Sequence, residues 1–119
     1  MANKRLISRD VVCTDKFHKL HASSKVLYMY LVLAADDDGF VDQVTAVRRQ
    51  CKVKMASLQE LIEADYVLMF ADDLLVIRHW CAMNKMPPSK YKETRYQGIL
   101  AGLKANKNGF YEVVTKTAQ

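Results

Sequence analysis

Three adjacent aspartates at residues 36–38 stand directly before Gly39, and their spacing invites comparison with a metal-binding loop. An EF-hand loop takes oxygen ligands from its first, third and fifth positions, has Gly at the sixth and a bidentate Glu at the twelfth. With Gly39 as the sixth residue, Ala34 is the first and Thr45 the twelfth. Because two anchoring ligands are missing, we expect a turn with solvated carboxylates and not a calcium site.

The other side chains that bind metals or act as nucleophiles fit no recognised pattern either. Two cysteines and two histidines lie in the first half of the chain, at Cys13, His18, His21 and Cys51, but their spacing matches no standard zinc site. The sequence has no Walker loop, no GxSxG elbow and no GxGxxG turn. We therefore predict a protein that is not an enzyme and that holds no metal or other cofactor.

Composition describes a single globular domain. The chain has 119 residues, of which 50% are hydrophobic and 26% are charged. The longest apolar run spans residues 26–35, shorter than the about 20 residues of a membrane helix, and the N-terminus lacks the apolar segment of a signal peptide. We expect a cytoplasmic protein without membrane contact. Its three cysteines form no CxxC pair, so we expect reduced, mostly buried thiols.

The net charge of +5 lies entirely in the last third of the chain. Residues 1–84 contain equal numbers of basic and acidic side chains, whereas residues 85–119 contain seven basic and two acidic ones. This division suggests a folded domain over 1–84 and a basic C-terminal extension over 85–119. The extension is the part expected to meet a polyanion, although a solvated basic face without a partner explains the same composition.

Hydrophobic periodicity predicts an α+β fold that is mainly helical. A long apolar helix follows Ser23 or Ser24, either of which is a good N-cap, and its apolar character on nearly all sides predicts burial on most faces. A short strand "GFV", helices over 43–51 and 55–64, and a hairpin with the turn "ADD" come next. This order is that of a winged helix-turn-helix. A further helix is predicted over about 89–104, and "FYEVV" predicts a final strand.

In that fold the helix over 55–64 is the recognition helix, and basic and polar side chains cluster at its start and on the helix before it. The residues predicted to contact base edges are Lys52, Lys54, Ser57 and Gln59, and those predicted to hold the DNA backbone are Arg48 and Arg49.

The extension mixes cations, which neutralise phosphates, with tyrosines, which stack on bases. The residues predicted to bind DNA there are Lys85, Lys90, Tyr91, Lys92 and Arg95.

Acidic residues weaken the simplest form of this hypothesis. Glu60 and Glu63 lie on the outer face of the recognition helix, and Asp72 and Asp73 make the tip of the hairpin acidic. A winged helix used for protein contact therefore remains an alternative. A winged-helix transcriptional regulator is another, although no dimerisation helix with a heptad seam is visible in the sequence. His79 is expected on the exposed side of its strand.

Three segments resemble the N-terminal winged-helix domain of phage replication-initiation proteins, the replisome organizers of Gram-positive prophages. They are "RLISRDVVCTDKF", "SSKVLYMYLVLAADDDGFV" and "VIRHWCAMNKMPPSKYKETRYQ", and together they span about residues 5 to 97. The residues that match the motif after the hairpin are His79, Trp80, Asn84, Lys90, Tyr91, Lys92, Thr94 and Tyr96.

The resemblance implies a non-enzymatic protein with an origin-binding or replisome-assembling role. We expect its ligand to be double-stranded DNA and its other partners to be replication proteins such as a helicase or helicase loader. It also implies that residues 36–39 form a helix-to-strand turn. At Pro87, Pro88 and Ser89 the sequence departs from the family, which usually has a basic pair followed by Asp. Because the family's domain is usually followed by a C-terminal region, we expect a shortened form or a standalone relative. Neither the DNA site nor the oligomeric state follows from the sequence.

Overall fold

The structure is a computed structural model that describes residues 4–84 and 87–114. Within these residues helices outnumber strands, and the predicted α+β class is confirmed. The helices are α1 (Arg9–Val12), α2 (Asp15–His18), α3 (Ala22–Ala34), α4 (Val44–Cys51), α5 (Met55–Glu63), α6 (Trp80–Met83) and α7 (Gln97–Leu100). The strands are β1 (Phe40–Val41), β2 (Val67–Ala71), β3 (Leu74–Ile77), β4 (Leu103–Ala105) and β5 (Tyr111–Val113).

The strands form two small antiparallel sheets. In the first, β3 lies between β1 and β2, with Phe40 opposite Val76 and Val67 opposite Ile77. All four residues of β3 are buried, as expected for a central strand that is covered on both faces. The second sheet pairs β4 with β5. The predicted short strand, the hairpin and the final strand are therefore all present.

The long helix α3 forms as predicted, but neither predicted serine caps it. The N-cap is His21, whose backbone N–H donates to a Glu60 carboxylate oxygen at 3.1 Å. Ser24 lies inside the first turn and is fully buried, and its hydroxyl donates to the Ser57 carbonyl at 3.2 Å and to the Glu60 carboxylate. Sequence propensity therefore placed the cap on the wrong residues, because the Ser24 hydroxyl is used in contacts with α5.

The exposure of α3 also differs from the prediction. One side of the helix is fully buried, on the side where α4 and α5 contact α3, and it consists of Leu27, Tyr28, Leu31 and Val32. The opposite side keeps large apolar side chains in solvent, at Val26, Met29, Tyr30 and Leu33. A helix that is apolar all round can be buried all round, yet this one has a partner on one side only.

The predicted helix over 89–104 is wrong. Only the four residues of α7 are helical in that range, and the chain then turns into β4. Residues before α7 follow an irregular path because they bind the turn at residues 36–39, which we call the aspartate turn. Lys92 and Thr94 donate their backbone N–H groups to Asp37 and Asp38 at 2.9 and 2.8 Å. Gly98 and Gly102 each disfavour a helix by about 1 kcal/mol relative to Ala, so the helix propensity of this segment is too low to oppose the irregular path.

The core contains a cluster of aromatic rings beneath α3. Phe17, Tyr28 and Tyr66 contact one another edge to face, with all three centroid separations at 5.6 Å. His79 continues the cluster, with its ring 5.2 Å from Tyr66 and 4.4 Å from Phe110. The prediction of an exposed His79 is wrong, because β3 ends at Ile77 and its alternation does not reach the histidine.

Two further predictions about exposure are tested by the described residues. Cys13 is exposed, while Cys51 and Cys81 are half-buried free thiols, so the expectation of mostly buried cysteines is wrong. In the part of the chain that the structure describes, no helix is both long enough and apolar enough to cross a membrane.

Candidate nucleic-acid interface

The aspartate turn between α3 and β1 is built by its own first carboxylate. Asp36 Oδ1 accepts the backbone N–H groups of Asp38 and Phe40, at 2.9 and 3.0 Å. Gly39 completes the turn with a φ of 89°, and a Cβ there would lie 2.6 Å from Cγ of Trp80. Both the positive φ and the close approach of the indole require glycine at this position.

Asp37 is buried in the centre of a small network. Its Oδ1 lies 3.0 Å from the Arg5 guanidinium, with the two side chains 0% and 2% exposed, and its backbone carbonyl accepts the Trp80 indole N–H at 2.9 Å. Burial by itself raises the pKa of Asp37, but the Lys92 N–H and the Arg5 guanidinium together hold that pKa below its ordinary value. The carboxylate therefore stays charged inside the protein.

Asp38 joins the turn to the C-terminal part of the chain. Its carboxylate accepts the Tyr91 hydroxyl at 2.6 and 2.8 Å and the Thr94 N–H at 2.8 Å, and its carbonyl accepts the Tyr111 hydroxyl at 2.9 Å. The expectation of solvated carboxylates at this turn is therefore wrong for Asp37 and Asp38, which are both buried. The turn therefore anchors residues 90–95, which we call the basic segment, to the rest of the fold.

The basic segment presents cations on its outer side. Lys90, Lys92 and Arg95 are exposed, although Arg95 lies 3.9 Å from the Asp42 carboxylate, a contact that solvent screens. Tyr91 was predicted to stack on bases, but its hydroxyl is bonded to Asp38 and only 39% of the residue is exposed. Its first role is structural. Lys85, also predicted to bind DNA, lies outside the described residues.

The second group of predicted DNA contacts lies around the connection between α4 and α5. Lys52, Lys54 and Arg49 are exposed, and Lys52 takes a left-handed conformation with a φ of 60° that ends α4. Arg48 is half-buried and donates to the Val53 carbonyl at 3.2 Å, which fixes the connection. Cations on this connection flank the N-terminus of α5, where the helix dipole adds to their positive potential.

Two polar residues of α5 differ in their availability. Ser57 is buried and its hydroxyl donates to the Ser23 hydroxyl at 2.8 Å, so a contact with a base would require this hydrogen bond to open. Gln59 is exposed, but its amide donates to Glu63 at 3.2 Å. Gln59 is therefore the more accessible of the two predicted base contacts, and it reaches a ligand after releasing an exposed intrahelical contact.

Two of the acidic residues that argue against DNA contact, Glu60 and Asp73, have structural roles. Glu60 accepts from Ser24, whose hydrogen bond is the main cause of the lowered pKa of Glu60, and it also bonds the backbone and the Nδ1 of His21. Its charge therefore stabilises the N-terminus of α3. Asp73 at the tip of the hairpin accepts the Thr45 N–H at 2.7 Å and caps α4. Asp72 beside it is exposed.

The two groups of cations line different grooves. Lys52 and Lys54 border a groove of about 680 Å³ between the start of α3 and α5, together with Glu60 and Glu63. Lys92 and Arg95 border a separate groove of about 390 Å³ beside the aspartate turn. The first groove therefore lies by the start of α3 and the second beside Ala34 at its end.

Sequence reasoning missed the long-range partners that organise this surface. The Arg5 pair with Asp37 and the cap that Asp73 gives to α4 join residues about 30 positions apart. No local pattern signals them, although a buried partner for an aspartate could have been sought among the arginines. Comparisons of the chain with protein-family models, with curated proteins and with solved structures each find no match.

Proposed function

We propose that this protein binds double-stranded DNA through a winged helix-turn-helix and acts in the initiation of phage or prophage DNA replication. The observation that carries the proposal is the order α3, β1, α4, α5 and the β2–β3 hairpin, with β3 central in its sheet. A helix pair followed by a hairpin suits insertion of the second helix into the major groove, with the hairpin alongside it. In this assignment α5 is the recognition helix and the hairpin is the wing.

The distribution of exposed cations supports the same assignment. Arg49, Lys52 and Lys54 lie at the entry to the recognition helix, where a phosphate backbone passes a helix inserted in the major groove. Lys92 and Arg95 supply a second point of attachment beside the aspartate turn. The carboxylates of Glu60 and Asp73 are held by hydrogen bonds within the fold, so each has a structural role besides its charge.

The replication role rests on the family resemblance, and the packing of the motif residues supports it. Trp80 donates to the Asp37 carbonyl, Asn84 bonds both backbone groups of Leu6 at 2.7 and 2.8 Å, and Tyr91 bonds Asp38. Residues that are far apart in the sequence thus build one substructure around the turn. A helicase or helicase loader is the partner that this role requires.

Fluorescence anisotropy with a labelled duplex tests DNA binding. The full chain is titrated at several salt concentrations, beside the double variants Lys52→Ala/Lys54→Ala and Lys92→Ala/Arg95→Ala. The matched control, Arg9→Ala/Lys19→Ala, removes two exposed positive charges from α1 and the end of α2. If four phosphates are contacted, log K falls against log salt with a slope of about −3.6, and each test variant reduces that slope to about −1.8.

The control variant is expected to keep the slope of the unmodified chain. Equal weakening by all three variants would show non-specific attraction to a basic protein and would contradict the assigned surface. If the unmodified chain binds no duplex at low salt, DNA binding itself is wrong, and the surface is better explained as a site of protein contact.

The replication role needs a different experiment. DNA fragments of the element that encodes the chain are selected by binding to the protein, and an enriched fragment is placed in a plasmid that lacks an origin. Replication of that plasmid when the protein is supplied supports the proposal. Repression of a reporter gene by the same fragment, without plasmid replication, would favour a transcriptional regulator on the same fold.

A further inference from the structure

The basic segment has no regular secondary structure of its own. Residues 90–95 lie outside the helices and strands, yet the three cations Lys90, Lys92 and Arg95 are all exposed on it. A segment of this kind samples many conformations unless contacts from elsewhere fix it, and each residue that must be ordered when a ligand binds lowers the affinity. The affinity of these cations for a polyanion therefore depends on what holds the segment in place.

The aspartate turn holds the basic segment at three points. The Asp38 carboxylate accepts the Tyr91 hydroxyl at 2.6 Å and the Thr94 N–H at 2.8 Å. The Asp37 carboxylate accepts the Lys92 N–H at 2.9 Å, so the backbone of this lysine is bound while the residue stays exposed. Burial and the neighbouring Asp38 carboxylate raise the pKa of Tyr91, so its hydroxyl keeps its proton and remains a donor.

We propose that Asp38 and Tyr91 are positioning residues for DNA binding, because their hydrogen bond fixes the backbone that presents the cations of the basic segment to the phosphates. This inference rests on the proposed DNA function and deepens it, since it gives a buried acidic side chain a favourable effect on the binding of a polyanion. Charge alone predicts the opposite effect, because a carboxylate repels phosphate. Preorganisation favours binding because the segment is ordered when the protein folds and not when the DNA arrives.

Tyr91→Phe is the most selective test of this role. It keeps the aromatic ring and removes only the hydroxyl that donates to Asp38. If Tyr91 acted by stacking on a base, the phenylalanine would preserve the affinity. Positioning instead predicts that the dissociation constant for the labelled duplex rises about tenfold in fluorescence anisotropy. The matched control is Tyr30→Phe on α3, where the tyrosine is 41% exposed against 39% for Tyr91, and it should bind like the unmodified chain.

Asp38→Ala tests the sign of the effect. It removes a negative charge together with the acceptor for Tyr91 and Thr94. Positioning predicts a dissociation constant raised about tenfold or more, whereas charge alone predicts tighter binding. Asp38→Asn, which also lacks the charge but keeps a carbonyl acceptor, should recover part of the affinity. Asp10→Ala removes the same charge from an exposed site on α1 and should bind at least as tightly as the unmodified chain.

Hydrogen exchange without DNA measures the positioning itself. In Tyr91→Phe and Asp38→Ala the amides of Lys92 and Thr94, which donate to the turn, are expected to exchange faster than in the unmodified chain. The amides of α5 should keep their rates, because the loss is local. A variant that is destabilised as a whole would exchange faster in α5 as well. Circular dichroism melts set a temperature at which every variant is folded, and the anisotropy is measured there.

Two results would overturn the proposal. One is an unmodified chain that binds the duplex while Tyr91→Phe and Asp38→Ala bind it equally well, which would discard the positioning role and keep the DNA function. The other is weaker binding by both variants with unchanged exchange at Lys92 and Thr94, because the two side chains would then act by some route other than ordering the segment. If the unmodified chain binds no duplex at low salt, the DNA function fails, and the positioning role fails with it.

Discussion

The guanidinium of Arg5 and the carboxylate of Asp37 lie 3.0 Å apart in the interior of the protein. The same guanidinium lies 5.0 Å from the centre of the Trp80 ring and donates to the Ala35 carbonyl at 2.9 Å. Its Nε and Nη1 have no hydrogen-bond partner among the described residues. The pair connects the N-terminal segment to the aspartate turn. Each of the two buried charges is compensated by the other.

Arg5→Leu is expected to lower the free energy of unfolding by about 3–5 kcal/mol, because it leaves the Asp37 charge buried without its cation. Urea unfolding followed by circular dichroism measures the loss. Lys4→Leu, at the exposed neighbouring position, should change stability by less than about 0.5 kcal/mol. Adding Asp37→Asn to Arg5→Leu should recover part of the loss. A loss below about 1 kcal/mol for Arg5→Leu would contradict the assigned role.

The two glycines Gly39 and Gly98 are expected to respond to alanine in opposite directions. At Gly39 the new methyl group meets the Trp80 ring at a φ of 89°, so Gly39→Ala should destabilise the protein by about 3 kcal/mol or more. At Gly98 a Cβ meets nothing within 4 Å among the described residues, and Gly98→Ala should stabilise α7 by about 0.5–1 kcal/mol. Thermal melts of the two variants compare them directly, and equal effects would be inconsistent with this structure.

Acidification is expected to destabilise the protein through His79. Burial, with smaller contributions from Arg78 and Lys16, lowers the pKa of His79 to about 4. The unfolded chain binds this proton near pH 6.5 and the folded chain does not, so stability is lost as the pH falls from about 6.5 to 4, by up to about 3 kcal/mol. In His79→Phe that dependence should flatten in urea titrations at several pH values. His18→Phe, at an exposed position, should keep the dependence of the unmodified chain.

The two aspartates at the tip of the hairpin are expected to differ in their effect on stability. Asp73→Ala removes the acceptor for the Thr45 N–H at the start of α4 and should cost about 1 kcal/mol. Asp72→Ala removes an equal charge from an exposed position and should change stability by less than about 0.5 kcal/mol. Hydrogen exchange at the first turn of α4 provides a local measurement. If the exchange rates of the two variants are equal, the hairpin does not cap this helix.

Helices and strands that carry a clear local hydrophobic periodicity could be predicted from the sequence. The helices α4 and α5 and the β2–β3 hairpin each carry their own hydrophobic pattern and lie at the predicted positions. The helix over 89–104 failed because Asp37 and Asp38, more than 50 residues away, bind the backbone of this segment. Propensity describes a segment alone, and here tertiary hydrogen bonds outweigh it.

The candidate interface divides in the same manner. Charge counting identified exposed cations such as Lys52 and Lys92, because a lysine without a buried partner stays in solvent. It did not foresee that the hydroxyls of Ser57 and Tyr91 donate to acceptors within the fold, to Ser23 and to Asp38. Such acceptors come from other elements, and only the folded structure reveals them.

The burial of Leu103 and Tyr111 in the core has a consequence for the biosynthesis of this protein. The Tyr111 hydroxyl donates to the Asp38 carbonyl, 73 positions earlier in the chain, so this contact with the aspartate turn forms only after β5 has left the ribosome. Until then the nascent polypeptide exposes apolar side chains that the finished fold buries. Translation of β5 therefore sets the earliest time at which this part of the core is covered.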